Sequence, residues 1–367
     1  MLSLTLYLGC VGGHLHGLDS PDAEDSAQAE TGEGDTAGDT SGDSGGDSGR
    51  DSGDTGPGPN PFADGDGDGF PDAWAETEYW EESPLASLLL PTEVPDGTHW
   101  EVRIATSTDR LTWEPDNRVI AHGFSSLDLI VAGEMLILAG MVDGAVARDL
   151  PASVQGYNIP AIATADLETW GSQTWPIGQG SETNVVDPSL QLGSDGVLRA
   201  TWFAHSTPGV DPATIEGIHL VQRGTWSDTG TFIQDDFEEE FAEEWLADPV
   251  ICELDGTPWM FYTHFAERIR AARSTDGGGH FEPVTTFSWE EPSVPFCIAE
   301  EDGIRVIAQT SGGRFSPRQG WVASDGSFTE IEPLYEDHPW GDNCTSPVVG
   351  YWQERWVLAC AVQVQGE

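Results

Sequence analysis

Three carboxylates stand in the same setting at widely separated places in the chain. Asp128 opens "LDLIVAGEMLILAGMVDG" from Leu127, Asp187 lies in "VVDPSLQLGSDGVLRATWFAH" from Val185, and Asp248 lies in "LADPVICELDGTPWMFYTH" from Leu246. In each, the acid heads a short apolar run, a tight turn follows, and a second run returns to a polar residue: Asp143, His205 or His264. Carboxyl groups brought together in this way do acid–base work. Burial and mutual repulsion raise one member, so that a protonated and an ionised carboxyl coexist near neutrality. An Asp-Pro at a strand start also reads more plainly, as turn chemistry in which the Asp accepts a local backbone hydrogen bond.

The elements that would position these acids repeat. Further runs of the same kind begin at Val294 ("VPFCIAEEDGIRVIAQT") and at Ser346 ("SPVVGYWQERWVLACAV"). Each run is a hairpin of two short strands. Each of the first four is followed by a second, weaker strand pair, such as "RIRAARSTDGGGHFEPVTTF" from Arg268, while "HWEVRIATSTDRLTWEP" precedes the first hairpin. The expected fold over residues 85–367 is therefore all-β: a five-bladed β-propeller whose last blade is closed by N-terminal and C-terminal strands. An open sandwich need not repeat in this way. Aligning the hairpins puts Asp128, Asp187, Asp248, Val294 and Ser346 at equivalent positions on one rim of a central tunnel, with the return strands bringing Asp143, His205 and His264 beside them.

"STDGGGHF", residues 274–281, resembles the Asp-box turn of sialidase-type propellers, and "STDRLTW" from Ser107 is a shortened version. The Asp-Pro strand starts and "DGTPWMFYT" resemble the five-bladed glycoside hydrolases of the furanosidase superfamily, such as family 43 arabinanases and xylosidases and the invertases. That resemblance implies an Asp base, a modulating Asp and a Glu acid from different blades. By position Asp128 would activate water and Asp187 would modulate. The acid has no clear match; Asp248 holds a rim position but is the wrong residue type, and Glu291 lies just before one. Hydrolysis with inversion would need acid and base roughly 6.5–9.5 Å apart and no cofactor. Trp245, Trp289 and Trp340 precede inner strands and would offer flat faces to a sugar, or else pack between blades. His205 and His264 would hold a substrate hydroxyl or be structural; without a third ligand they specify no zinc site. The expected partner is a polysaccharide or oligosaccharide, acted on or merely bound. The alternative is a non-catalytic surface propeller that binds glycan or protein.

With 64 acidic residues, 14 Arg and no Lys, the formal net charge is −50. That argues against nucleic acid or anionic lipid as partners and suits a soluble, monomeric surface protein. Residues 1–10, "MLSLTLYLGC", resemble the end of a bacterial lipoprotein signal with Cys10 as the lipidated residue, so the membrane would be reached through a lipid anchor only. Residues 11–62 are dominated by Asp, Ser, Thr and Gly and read as a disordered acidic linker. Residues 63–84 carry "DGDGDGFPDAW", in which Asp64, Asp66, Asp68 and Asp72 are spaced as the oxygen ligands of a Ca²⁺ loop, although the twelfth position is Ala75. Beyond Cys10 the Cys count is even, which suggests disulfides in an exported chain, at the cell envelope or secreted. Of three connectivities, Cys344–Cys360 faces across one hairpin, leaving Cys252 and Cys297 on inner strands of adjacent blades.

Overall fold

The computed structural model describes residues 98–142, 158–177, 185–193, 196–205, 219–227, 231–240, 246–264, 268–289, 292–310, 317–335, 339–340 and 344–365. The lipoprotein-type segment, the acidic linker and the calcium-type loop lie outside the described residues, as do Asp143, Trp245 and Glu291.

The chain enters through β1 (Thr98–Ser107), with the short β2 (Glu114–Pro115) and β3 (Ala121–His122) both paired to it. The first complete blade is β4 (Phe124–Ala132), β5 (Met135–Val142), β6 (Asn158–Thr164) and β7 (Gly171–Pro176). The second is β8 (Val185–Leu192), β9 (Leu198–His205), β10 (His219–Trp226) and β11 (Phe232–Glu240), and the third β12 (Leu246–Leu254), β13 (Thr257–His264), β14 (Arg268–Ser274) and β15 (Phe281–Thr286). The fourth is β16 (Pro292–Glu300), β17 (Gly303–Thr310), β18 (Arg318–Ala323) and β19 (Phe328–Glu330). Each is an antiparallel meander, as short strands joined by tight turns dictate. The last blade is composite: β20 (Cys344–Trp352) and β21 (Arg355–Gln365) are continued by β1 and β2, with β1 and β21 in register from Thr98↔Gln365 to Ser107↔Trp356. The five-bladed propeller and its closure by the two chain ends are thus as expected.

Apolar clusters fill the seams between successive sheets. Ile137, Ala161, Trp175 and Trp202 pack between the first and second blades; Val221, Met260, Tyr262 and Phe281 pack between the second and third. Phe261, Phe287, Trp289 and Val306 join the third to the fourth, and one large cluster containing Phe296, Val348, Leu358, Val102 and Leu138 links the fourth, fifth and first. The inner strands of every sheet are therefore buried between neighbouring sheets, while the outer strands β2, β15 and β19 are largely exposed. Two disulfides reinforce it in the pairing favoured above: Cys252–Cys297 joins inner strands β12 and β16 with Cα atoms 6.1 Å apart, and Cys344–Cys360 pins β20 to β21 at 5.2 Å.

Outer turns are held by a repeated device. Asp109 Oδ1 accepts the Leu111 and Thr112 amides, and Asp276 Oδ1 accepts those of Gly279 and His280, in the two Asp-box-like turns. A third copy at Thr164–Trp170, in which Asp166 accepts the Glu168 and Thr169 amides, is written "TADLETW" and parallels "STDRLTW".

Candidate functional site

Every inner strand enters the tunnel through an irregularity. The ladders shift register between Ser125 and Asp128, Val186 and Ser189, Ala247 and Val250, Ser293 and Pro295, and Thr345 and Val348. At each shift one residue has a left-handed backbone: Ser126, Asp187, Asp248, Val294 and Ser346, with φ of 48°, 49°, 52°, 50° and 46°. Four of these precede Pro, where α-type conformations are further disfavoured. Left-handed non-Gly residues cost of order 1–3 kcal/mol each and gather where a site must aim its side chains.

This backbone pattern corrects one expectation. The first-blade equivalent of Asp187 and Asp248 is Ser126, and Asp128 stands two residues further along β4, level with Ser189 and Val250. The carboxylate of Asp128 is buried and engaged at both oxygens: Oδ1 accepts the Leu129 amide at 2.7 Å and Oδ2 accepts the Leu190 amide of the neighbouring inner strand. Inner strands have one sheet neighbour only, so their second edge leaves amides in need of acceptors, and Asp128 supplies them. Burial lifts Asp128 to about 6 against the lowering bonds from Leu190, Leu129 and Ser189.

Asp187 and Asp248 are placed differently. Only 4% and 9% exposed, they line one small cavity together with Ser126, Asp128, Ser189 and Val294. The cavity holds about 20 Å³, room for one water. Ser126 Oγ donates to Asp187 Oδ1 at 2.6 Å, and Thr263 Oγ1 donates to Asp248 Oδ2 at 2.9 Å. Asp187 Oδ2 and Asp248 Oδ1 are both buried and make no hydrogen bond. Like charges buried side by side repel, which disfavours ionisation of both members of the pair. Burial and then the charge of Asp248 push Asp187 well above the usual carboxylate range, against the bonds from the Ser126 hydroxyl and the Asp248 amide. Burial raises Asp248 too, opposed by bonds from Thr263, Asp187 and the Val294 amide.

All three predicted acids that are described therefore meet at the tunnel mouth, but in two roles: Asp128 caps strand edges, while Asp187 and Asp248 form a pair with unused bonding capacity. Below them, a cavity of about 410 Å³ shares Asp128, Val250 and Phe296 with the first and extends along the inner strands past Leu129, Leu192 and Cys252. Trp289 is a second correction. It is 3% exposed and packs edge-on against Phe287 and Phe328 in the seam between the third and fourth blades, away from both cavities. Trp340 is half-buried against the cluster around the last blade. His264 ends β13 opposite Leu246 and is half-buried; His205 ends β9, and its side chain lies outside the description. Among the described residues no group of three or more His, Cys, Asp or Glu is placed to hold a metal ion.

Two residues of the site were not singled out in the sequence. Ser126 was hidden because "SSLDL" lacks the Pro that marks the other four entries. Thr263 precedes His264, and its pairing with Ala247 beside Asp248 is visible only once the register of β12 and β13 is known.

No protein-family model and no curated protein matches the chain. Among solved structures it is similar to a family 43 β-1,3-galactosidase in complex with galactodeoxynojirimycin, with a TM-score of 0.47, 11% identity, and coverage of 68% of this chain and 95% of that one. It is also similar to a thermostable family 43 glycoside hydrolase, with a TM-score of 0.48, 10% identity, and coverage of 66% and 89%. An exo-β-1,3-galactanase from Clostridium thermocellum gives 0.47 and 11%, with 67% of this chain and 55% of that one covered.

Proposed function

We propose that this propeller is glycan-active and recognises a sugar at the tunnel mouth, with Asp187 and Asp248 as the polar anchor. The observation that carries this reading is the pair of buried carboxyls in one cavity, with Asp187 Oδ2 and Asp248 Oδ1 unused by any other group of the fold. A pair sharing one proton is a net acceptor, suited to hydroxyl donors. The formal charge of −50 disfavours anionic ligands. The Asp-Pro strand starts add the resemblance to glycoside hydrolase propellers.

Hydrolysis is the second reading, favoured by two buried carboxyls that both hold their protons more tightly than usual. It asks for more than the pair. Acid and base flanking a glycosidic bond stand about 5 Å apart for retention or about 6.5–9.5 Å for inversion, whereas carboxyls in contact act as a single unit. Glu291 is the residue we propose for the separate acid, because Asp128 is committed to backbone amides. Two disulfides support an oxidising compartment; with it we propose a protein exported to the cell envelope through Cys10, or secreted, with Ca²⁺ on Asp64, Asp66, Asp68 and Asp72.

The test passes the full chain over gels carrying arabinan, xylan, fructan or galactan and assays the same polymers for released reducing sugar, beside Asp187→Asn, Asp248→Asn and Glu291→Gln. Retention of the wild-type chain, weakened in both variants without sugar release, establishes recognition. Release that depends on Glu291 establishes hydrolysis. Neither retention nor release on any polymer would overturn the glycan reading.

A further inference from the structure

The two carboxyls at the tunnel mouth are not held alike, and the difference lies in a hydroxyl on the second strand of the third blade. Thr263 Oγ1 accepts the Val294 amide of the next blade at 3.1 Å and donates to Asp248 Oδ2 at 2.9 Å. A hydroxyl has one proton to give. With its oxygen turned to the Val294 N–H, that proton has Asp248 as its fixed acceptor. The hydroxyl of Ser126, bonded to Asp187 at 2.6 Å, has no such second anchor among the bonds it makes and can rotate either to donate or to accept.

We infer that Thr263 is a positioning residue: it keeps Asp248 as the ionised member of the pair and leaves the shared proton on Asp187. This rests on the reading of the pair as the ligand anchor and deepens it. It makes Asp248 Oδ1 the acceptor that a ligand hydroxyl meets, and Asp187 the donor within the pair. The wider setting agrees. Among the described residues that line the cavity with the pair, the other titratable group is Asp128 on β4, clamped by two backbone amides; β16 presents Val294, Pro295 and Phe296, which carry no charge. Burial and the neighbouring charge of Asp248 raise Asp187 well above the ordinary carboxylate range, and the Thr263 bond opposes the rise at Asp248.

The experiment follows carboxyl carbon-13 signals of the full chain labelled at aspartate, from about pH 5 to about pH 9, with no glycan present. Asp187→Asn and Asp248→Asn assign the two signals. In the wild-type chain and in Thr263→Ser, which keeps the hydroxyl, Asp187 should sit at the protonated position near neutrality and Asp248 at the ionised one. Thr263→Val keeps the shape and removes the hydroxyl, and should raise the Asp248 midpoint by at least about one unit, a tenfold gain in proton affinity. A folded Thr263→Val that titrates like wild type would overturn the inference, because a merely structural Thr leaves the midpoints in place. If Thr263→Val does not fold, the wild-type assignment decides: a proton on Asp248 at neutrality overturns the inference, and a proton on Asp187 with an unchanged Thr263→Ser upholds it. Because no ligand enters the titration, failure of glycan retention and failure of this assignment are read separately.

Discussion

Replacing Asp128 by Asn tests whether this acid serves the fold rather than the chemistry. In the wild-type chain its carboxylate is buried, accepts the Leu129 and Leu190 amides, and is displaced from 3.8 to about 6 by burial. Because the folded-state value is raised, the folded chain holds this proton where the unfolded chain has lost it. Stability therefore falls as pH rises from the unfolded value through the folded one, and levels off above about 6. At about 1.36 kcal/mol per unit, the loss amounts to about 3 kcal/mol. Asn carries no such charge, but its amide nitrogen turns a donor toward one of two backbone donors, at a cost of about 1–3 kcal/mol at all pH values. Urea unfolding of both proteins at about pH 4 and about pH 7.5 should show the variant less stable in acid. The gap should close, or reverse, by about 2.4 kcal/mol at the higher pH, because the unfolded group is already half ionised at about pH 4. A gap that stays the same at both pH values would refute the assignment of a buried, raised carboxyl to Asp128.

Other perturbations follow from the same geometry. Removing Cys252–Cys297, which closes 45 residues between two blades, should cost about 4 kcal/mol by loop entropy, against about 3 kcal/mol for Cys344–Cys360, which closes 16; paired Cys→Ala variants in denaturant titrations check the order. Trp289→Ala should lose about 3–5 kcal/mol of stability as a core truncation, while any glycan retained by the wild-type chain remains bound, since the ring packs on Phe287 and Phe328. Gly140→Ala should disturb the mouth itself, because an added Cβ would lie 2.7 Å from the Ser125 carbonyl and 3.3 Å from that of Ser126; lower thermal stability together with weakened retention is the expected outcome, and an unchanged protein would count against a rigid first-blade entry.

The propeller was legible because period-two hairpins recur and because the leftover outer pair at residues 99–121 required a partner at the other chain end. Both are properties of local pattern plus counting. The site was legible at Asp187 and Asp248, where Pro marks the bulge, and displaced by two residues at Asp128, where Ser126-Leu127 replaces Asp-Pro. A bulge inserts a residue and so shifts the phase of the period-two alternation, and without a Pro to mark it the frame of the first entry could not be set from apolar spacing. Trp289 was misplaced for a related reason. Three residues before an inner strand the chain has not yet reached the tunnel, and the ring turns back into the seam between sheets, where Phe287 and Phe328 form an apolar slot. The roles of Thr263 and Ser126 were beyond pattern altogether, since each acts on a carboxyl from a different strand.

The ladder between β1 and β21 sets an order of assembly. β1 is the first described strand to be made and finds its partner in the last. Until β21 exists, four blades can form by local hairpin closure, but the large cluster joining the fourth, fifth and first blades cannot. Contacts between such distant parts of a chain are slow to form, so closure of the ring should be the late step on the way to the native state. The converse holds on the way out. With both ends of the described fold locked into one sheet, neither can leave without breaking that ladder and the cluster packed on it, which should slow the loss of the native ring.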